Sequence, residues 1–491
     1  MTRPVKLKYN KQWQVSRVMS NSLLTTLALF IVRVANTVCF LIITWYLGEK
    51  EAGVYAIALN YALFFAQLAF WGLDQLLVRD ISLRKENIGD TIGFFLFIRA
   101  IATFVCCALL IIFITSQEYD SGTRNCLLVG SMIVVTESIT KFCQTVFSAY
   151  EKSKYSVLLS VTNGILKLTG IILIIVAGYL SAFRFVAMIA VTSVISLAVG
   201  LFFVFRLFDR PKLRNISYLW NKYYYVSLPF VAISFASTIE FQADTLLLMQ
   251  LLKTDIEVKI GMYNAITLIL YTLLMATQGL RSALLPGISR VFRQNQHALA
   301  ALFQQLFRLL FLFTIPVALV ISWFSPNIVQ LIYGSKFSQA AAGIRIIVWS
   351  FVFLTSVLPA TTILVVLDKR RLLLIIQIFS TLVNITLNIV LIPYIDVQGA
   401  VWSRFFSSLM VWSISIIAIW KVINLNINHR IIIKFLLILA MTAGFIQVVY
   451  GYFHVYWMIT AIAAMALYTC FIFVTGCVNK NDLRFFNVSA K

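Results

Sequence analysis

The chain has 491 residues, 61% of them hydrophobic and only 12% charged, with a mean hydropathy of +0.92. Soluble proteins carry about 25% charged residues, and their single cores stop growing at roughly 250–300 residues. The composition therefore excludes a cytosolic enzyme, a secreted disulfide scaffold and a disordered chain, and leaves a protein that uses the bilayer as its solvent.

In chain order, residues 1–20 form a basic, polar stretch without a cleavage site and read as a cytoplasmic leader. Apolar runs of the roughly 18–20 residues that span a bilayer then recur. Counting runs broken by one or two charges, they predict fourteen helices: 21–46, 54–78, 91–115, 125–148, 156–178, 184–206, 224–249, 260–284, 304–325, 343–367, 372–393, 398–420, 431–450 and 454–478. The first six make an N-lobe, 21–206, and the next six a C-lobe, 223–421. The segment 207–222, with Arg210, Lys212, Arg214 and Lys222, is a polar basic linker that suits two bodies in relative motion. The last helix pair and a short cytoplasmic tail occupy 422–491. Solid apolar runs exclude a transmembrane barrel, whose strands alternate.

With the N-terminus inside, most of the 40 Lys and Arg residues fall on inner segments, as the positive-inside rule requires. That placement accounts for the net charge of +22 without nucleic acid and puts both termini in the cytoplasm. The seven cysteines lie in or beside apolar segments, and His297, His429 and His454 are scattered, so neither a metal nor a cofactor is expected. The outer loops are short, and Gly-rich phosphate loops, GxSxG and metal-ligand clusters are missing from the sequence, which weighs against an enzyme. Pro229 and Pro286 bound the seventh and eighth spans, while Pro316 and Pro359 are expected to interrupt the ninth and tenth.

Two stretches repeat. Gly53-Val54-Tyr55 opens the second span and Gly261-Met262-Tyr263 the eighth; Arg99 and Arg308 occupy matching places in the third and ninth. An even number of spans per lobe sets both copies the same way up, as in parallel-repeat transporters. Two such lobes around a central cavity are the basis of alternating access.

An ionisable group at bilayer depth costs at least ~2.5–3.5 kcal/mol on insertion scales and faces a cavity or a partner. Six cations lie within spans: Arg33, Arg99, Lys141, Lys167, Arg308 and Arg404. Arg33, with Asn36 on its face, and Lys167, in the stripe Ser160, Asn163, Lys167, are read as lining the cavity. Arg99 and Arg308 lie near cytoplasmic ends, where snorkelling competes with a cavity role. Lys141 follows Glu137 at i, i+4, a spacing equally suited to mutual neutralisation and to function. Arg404, under two turns from the outer end, favours a bland structural reading. Glu240 and Asp244 are i, i+4 on the seventh span. Two readings stand side by side: a proton- or sodium-coupling pair, or a salt bridge across the lobes to Arg33. Surplus positive charge in the cavity points to an anionic cargo.

The run from Tyr46-Leu47-Gly48 through Gly53-Val54-Tyr55 and Phe70-Trp71-Gly72-Leu73-Asp74 to Arg79-Asp80-Ile81-Ser82 resembles the opening signature of the Wzx-type (O-antigen, oligosaccharide) flippases. These belong to the multidrug/oligosaccharidyl-lipid/polysaccharide exporter superfamily. Asp244, then Gly261 and Tyr263, Leu285-Pro286, Asn384 to Asn388, Ile392-Pro393-Tyr394 and Gly399-Ala400 resemble its later signatures. The resemblance implies an all-α integral membrane protein with two six-helix bundles in a V and a C-terminal helix pair that, in one relative, forms a lipid-tail groove. It implies a bacterial inner-membrane flippase for an undecaprenyl-diphosphate-linked oligosaccharide in surface polysaccharide biosynthesis. A glycan polymerase and a chain-length regulator of the same pathway are the implied partners. Arg404 stands where the family usually has a small residue. The rival readings are a drug or cation antiporter of the same superfamily and, from another class, a membrane glycan polymerase or ligase.

Overall fold

The computed structural model describes residues 37–70, 74–82, 88–150, 152–214, 216–294, 298–423 and 429–476, and these are almost entirely helical. The helices are α1 (Thr37–Leu47), α2 (Glu49–Leu68), α3 (Asp74–Ser82), α4 (Ile88–Ser116), α5 (Ser121–Ala149), α6 (Ser153–Val176), α7 (Ala182–Leu207) and α8 (Ile216–Leu251). They continue as α9 (Ile256–Gln294), α10 (Ala298–Trp323), α11 (Ser325–Tyr333), α12 (Ala340–Ser356), α13 (Leu358–Val366), α14 (Arg370–Ile423), α15 (His429–Ile446) and α16 (Trp457–Val474). Nine helical stretches among the described residues are long and apolar enough to cross a membrane, and two shorter apolar helices accompany them. One of the nine, within α14, holds two predicted spans. Ile395 (φ −130°) and Asp396 (φ +50°) leave helical geometry there, directly after Pro393, and split α14 into two halves at a sharp corner.

Polar residues set the helix starts. Asp120 accepts from the Thr123 amide and Ser181 from the Arg184 amide, each satisfying an orphan donor of a first turn. The tenth predicted span breaks where Pro359 enters the first turn of α13. Pro316, expected to interrupt the ninth, does not: α10 runs unbroken through it, because a proline removes one backbone bond and its helix keeps the rest. The second predicted span is divided, with α2 ending at Leu68 and α3 starting at Asp74.

The chain forms two compact units: Met1–Ile43 with Ala58–Thr238, and Thr44–Ile57 with Ile239–Lys491. In the first, α5 is the inner helix, packed on α3, α4, α6 and α7, around a core that includes Phe94, Phe142, Phe147 and Tyr223. The segment after α7 lies against this core: the Lys212 amide donates to the Gly89 carbonyl at 2.9 Å, and the Tyr150 hydroxyl donates to Asp209. In the second, α12 is the inner helix, packed on α9, α10, α11 and α14. The pair α15 and α16 docks on α10, where the Tyr468 hydroxyl donates to the Leu312 carbonyl at 3.0 Å.

Candidate functional site

In the second unit the corner in α14 lays its two halves side by side. Gly399 permits the approach, since a Cβ there would stand 2.7 Å from the Ile392 nitrogen. Small polar residues line the seam: Ser380 donates to the Ser407 carbonyl at 3.2 Å, and Asn384 reaches the Ser407 hydroxyl at 3.4 Å. One half thus presents Asn388 and the other Arg404 to a single carboxylate, Asp244 on α8.

Asp244 is 1% exposed and fully engaged. Arg404 Nε and Nη2 both lie 2.6 Å from its Oδ2, which also accepts from the Tyr263 hydroxyl at 2.7 Å. Its Oδ1 accepts from Asn388 Nδ2 at 2.8 Å. Arg404 Nη2 reaches on to the Glu240 carbonyl at 2.9 Å, and Gln377 donates to the Glu240 carboxylate. Of the two readings of Glu240 and Asp244, a coupling pair or a salt bridge to Arg33, the second names a cation that lies outside the described residues; among the described residues the cation beside Asp244 is Arg404. The corner after Pro393 turns the Arg404 side chain inward onto α8. Asn388 and Tyr263, quoted in the sequence only as signature residues, are the other two ligands. The signal for Asn388 was the i, i+4 pair Asn384/Asn388 in an uncharged span, where amides need partners within the protein; Tyr263 carried no signal beyond its place in the repeated motif.

In the first unit Arg99 on α4 is 3% exposed, so it does not snorkel. It is ion-paired with Asp74 in the first turn of α3, its guanidinium lies 5.0 Å from the Phe70 ring centre, and Nη1 is buried without an acceptor among the described residues. Thr103 on the next turn bonds the Ser138 hydroxyl of α5 at 2.7 Å. Glu137 and Lys141 make no ion pair, and neither does Lys167, among the described residues. Lys141 is exposed and Lys167 half-buried. Gln144 on α5 donates to the Ser160 hydroxyl on α6 at 3.2 Å, which ties the two helices together near these lysines. Arg308, on α10 in the second unit, is half-buried. Arg33 and Asn36 lie outside the described residues. Groups of three or more His, Cys, Asp or Glu able to hold a metal are missing among the described residues.

The sequence matches the polysaccharide biosynthesis protein family over residues 18–292 and the MatE family over 229–390. Comparison with curated proteins gives no significant match. Among solved structures, the lipid II flippase MurJ in an inward closed conformation is similar with a TM-score of 0.74 at 13% identity, covering 92% of this chain and 98% of its own. An inward-facing multidrug resistance MATE transporter of the MOP superfamily is similar at 0.62 and 13% identity, covering 80% and 98%. The MATE multidrug transporter DinF-BH is similar at 0.58 and 14% identity, covering 87% and 100%. These neighbours are flippases and transporters, not catalysts, and the likeness establishes the fold expected from the motifs.

Proposed function

The chain belongs to the polysaccharide biosynthesis protein family, and from that membership we propose that it flips an undecaprenyl-diphosphate-linked oligosaccharide from the inner to the outer leaflet of the bacterial cytoplasmic membrane. The observation that carries this reading beyond the family is the pair Lys141 and Lys167 on neighbouring helices of one unit, neither ion-paired among the described residues. A lysine at depth without a carboxylate is expensive. A cargo diphosphate or acidic sugar supplies the missing charge. Arg99, with a donor to spare, and Arg308 join them in the proposed cavity set, together with Arg33 and Asn36 on the strength of their sequence positions. The lipid tail stays in the bilayer while the cationic surface replaces the water shed by the head group, whose transfer would otherwise meet a very high desolvation barrier.

In this reading both termini are cytoplasmic, the lobes 21–206 and 223–421 are the moving bodies, and the product passes to a glycan polymerase with its chain-length regulator. The MatE match over 229–390 favours one other reading, a drug or cation antiporter.

The test is complementation of a deletion strain by Lys141→Gln, Lys167→Gln and the double variant. The flippase reading expects graded loss of surface glycan for the singles and abolition for the double, with the protein still in the membrane. Full glycan export by the double variant would sink it. Altered drug susceptibility with intact glycan would favour the antiporter.

A further inference from the structure

We propose that Arg404 is the resident cation of the second unit: its guanidinium permanently fills the position at Asp244 that a coupling metal cation would need, so no sodium or potassium ion exchanges there. This deepens the flippase reading, on which it rests only in asking whether Asp244 is a place where a metal cation could be coupled to the cycle.

A hard monovalent cation needs several oxygens turned toward one point. Here both Asp244 oxygens already face donors, and the cation's place is taken by the guanidinium. Oδ2 holds Arg404 and the Tyr263 hydroxyl, and Oδ1 holds Asn388. The Asn388 amide is the deciding detail. Its Nδ2 faces three acceptors, Asp244 Oδ1 at 2.8 Å, the Asn384 carbonyl at 2.9 Å and Asn384 Oδ1 at 3.2 Å. Reversing the amide would set oxygen against three oxygens, so this orientation is fixed by the network. Its Oδ1, the atom a metal would use, points elsewhere and is buried without a hydrogen bond among the described residues. The site is built to present donors to a carboxylate.

A guanidinium suits that task. It is always charged, planar and forked, and this one touches α8 twice, at the Asp244 carboxylate and at the Glu240 carbonyl. It ties the second half of α14 to α8 by a covalently tethered ion. Glu240, held by Gln377, adds a second carboxylate that the same arginine faces across one helical turn.

The experiment reads thermal melting of the purified full-length protein in detergent, which needs no cargo and so separates this proposal from the flippase reading. Wild type should melt at the same temperature in sodium, potassium or choline chloride. Arg404→Ala should melt several degrees lower and recover most of the loss in millimolar guanidinium, which leaves wild type unshifted. If Arg404→Ala fails to fold, Arg404→Lys and the charge-free pair Asp244→Asn/Arg404→Met keep the question open to measurement, and both should melt nearer wild type than Asp244→Asn alone. A sodium-dependent rise in wild type that Asp244→Asn abolishes would overturn the proposal. So would an Arg404→Ala protein that melts like wild type, or that sodium and choline salts restore as well as guanidinium does.

Discussion

Gly53 lies so close to Glu257 that a methyl group on its Cα would stand 1.7 Å from the Glu257 carbonyl oxygen. The reciprocal position on the neighbouring helix is Gly261, whose added Cβ would meet the Glu49 carbonyl at 3.0 Å and the Gly53 Cα at 3.3 Å. The two glycines that open the repeated Gly-x-Tyr motif are thus where α2 and α9 cross, close enough that the first tolerates no side chain. Gly53→Ala should lose folded protein, at or above the upper end of the about 1–3 kcal/mol that overpacking costs. Gly261→Ala should cost less, since a few tenths of an ångström relieve it. Size-exclusion profiles and melting temperatures of the two variants check the order; equal behaviour would show that the crossing is looser than this.

Arg99 and Asp74 form the corresponding buried ion pair of the first unit, but with a weaker frame. Asp74 is 24% exposed, and Arg99 keeps one amino group without an acceptor. Asp74→Asn leaves the guanidinium without a counter-charge and should destabilise by about 3 kcal/mol, the lower end for breaking a buried pair. Arg99→Met should cost less, because a half-wet aspartate is easily rehydrated. Denaturant or thermal melts that reverse this order would show that the carboxylate, not the arginine, is the poorly solvated partner.

Asp80 fastens α3 to the start of α8. Its buried carboxylate accepts from Arg79 Nε at 3.0 Å and from the Tyr223 hydroxyl, with Lys222 Nζ at 3.7 Å. Nearby, Gly93 has room for nothing more, since a Cβ would fall 2.2 Å from the Lys212 carbonyl. The linker read from the sequence as a polar tether is, through Lys212, a strap laid on the first turns of α4. Tyr223→Phe should cost about 1–2 kcal/mol, the range for a hydrogen bond to a charged group. Gly93→Ala should lift the strap and raise protease cleavage at Arg210, Lys212 and Arg214. Limited trypsin digestion checks it: unchanged cleavage in Gly93→Ala means that the strap re-seats around the methyl.

Much of this architecture was legible in the chain. Apolar runs located the spans, Pro393 with the residues after it marked the corner in α14, and Pro359 marked the break before α13. The sites were legible only by half. A charge inside an apolar run announces that it has a partner or a cavity, because burying it alone is costly. Which partner it has depends on lateral packing between helices far apart in sequence, and periodicity along one helix is silent about that. Asp244 meets Arg404 across 160 positions, whereas Glu137 and Lys141, one turn apart, make no ion pair.

The corner that brings Asn388 and Arg404 to one carboxylate rests on Asp396, whose φ of +50° and ψ of −129° form the backbone of a glycine-type turn. A side chain there costs of order 1–3 kcal/mol. Aspartate recovers part of it through Lys259, whose Nζ lies 2.9 Å from Asp396 Oδ2, but this carboxylate is 54% exposed, and such surface pairs contribute only about 0.2–1 kcal/mol. Relief of strain should outweigh the lost pair, so Asp396→Gly should stabilise the protein by about 1 kcal/mol, within the range for removing strain from one residue. Asp396→Ala, which forfeits the pair and keeps the strain, should destabilise it. A melting temperature for Asp396→Gly at or below that of Asp396→Ala would mean that the lysine contact, not the backbone, holds the corner in place.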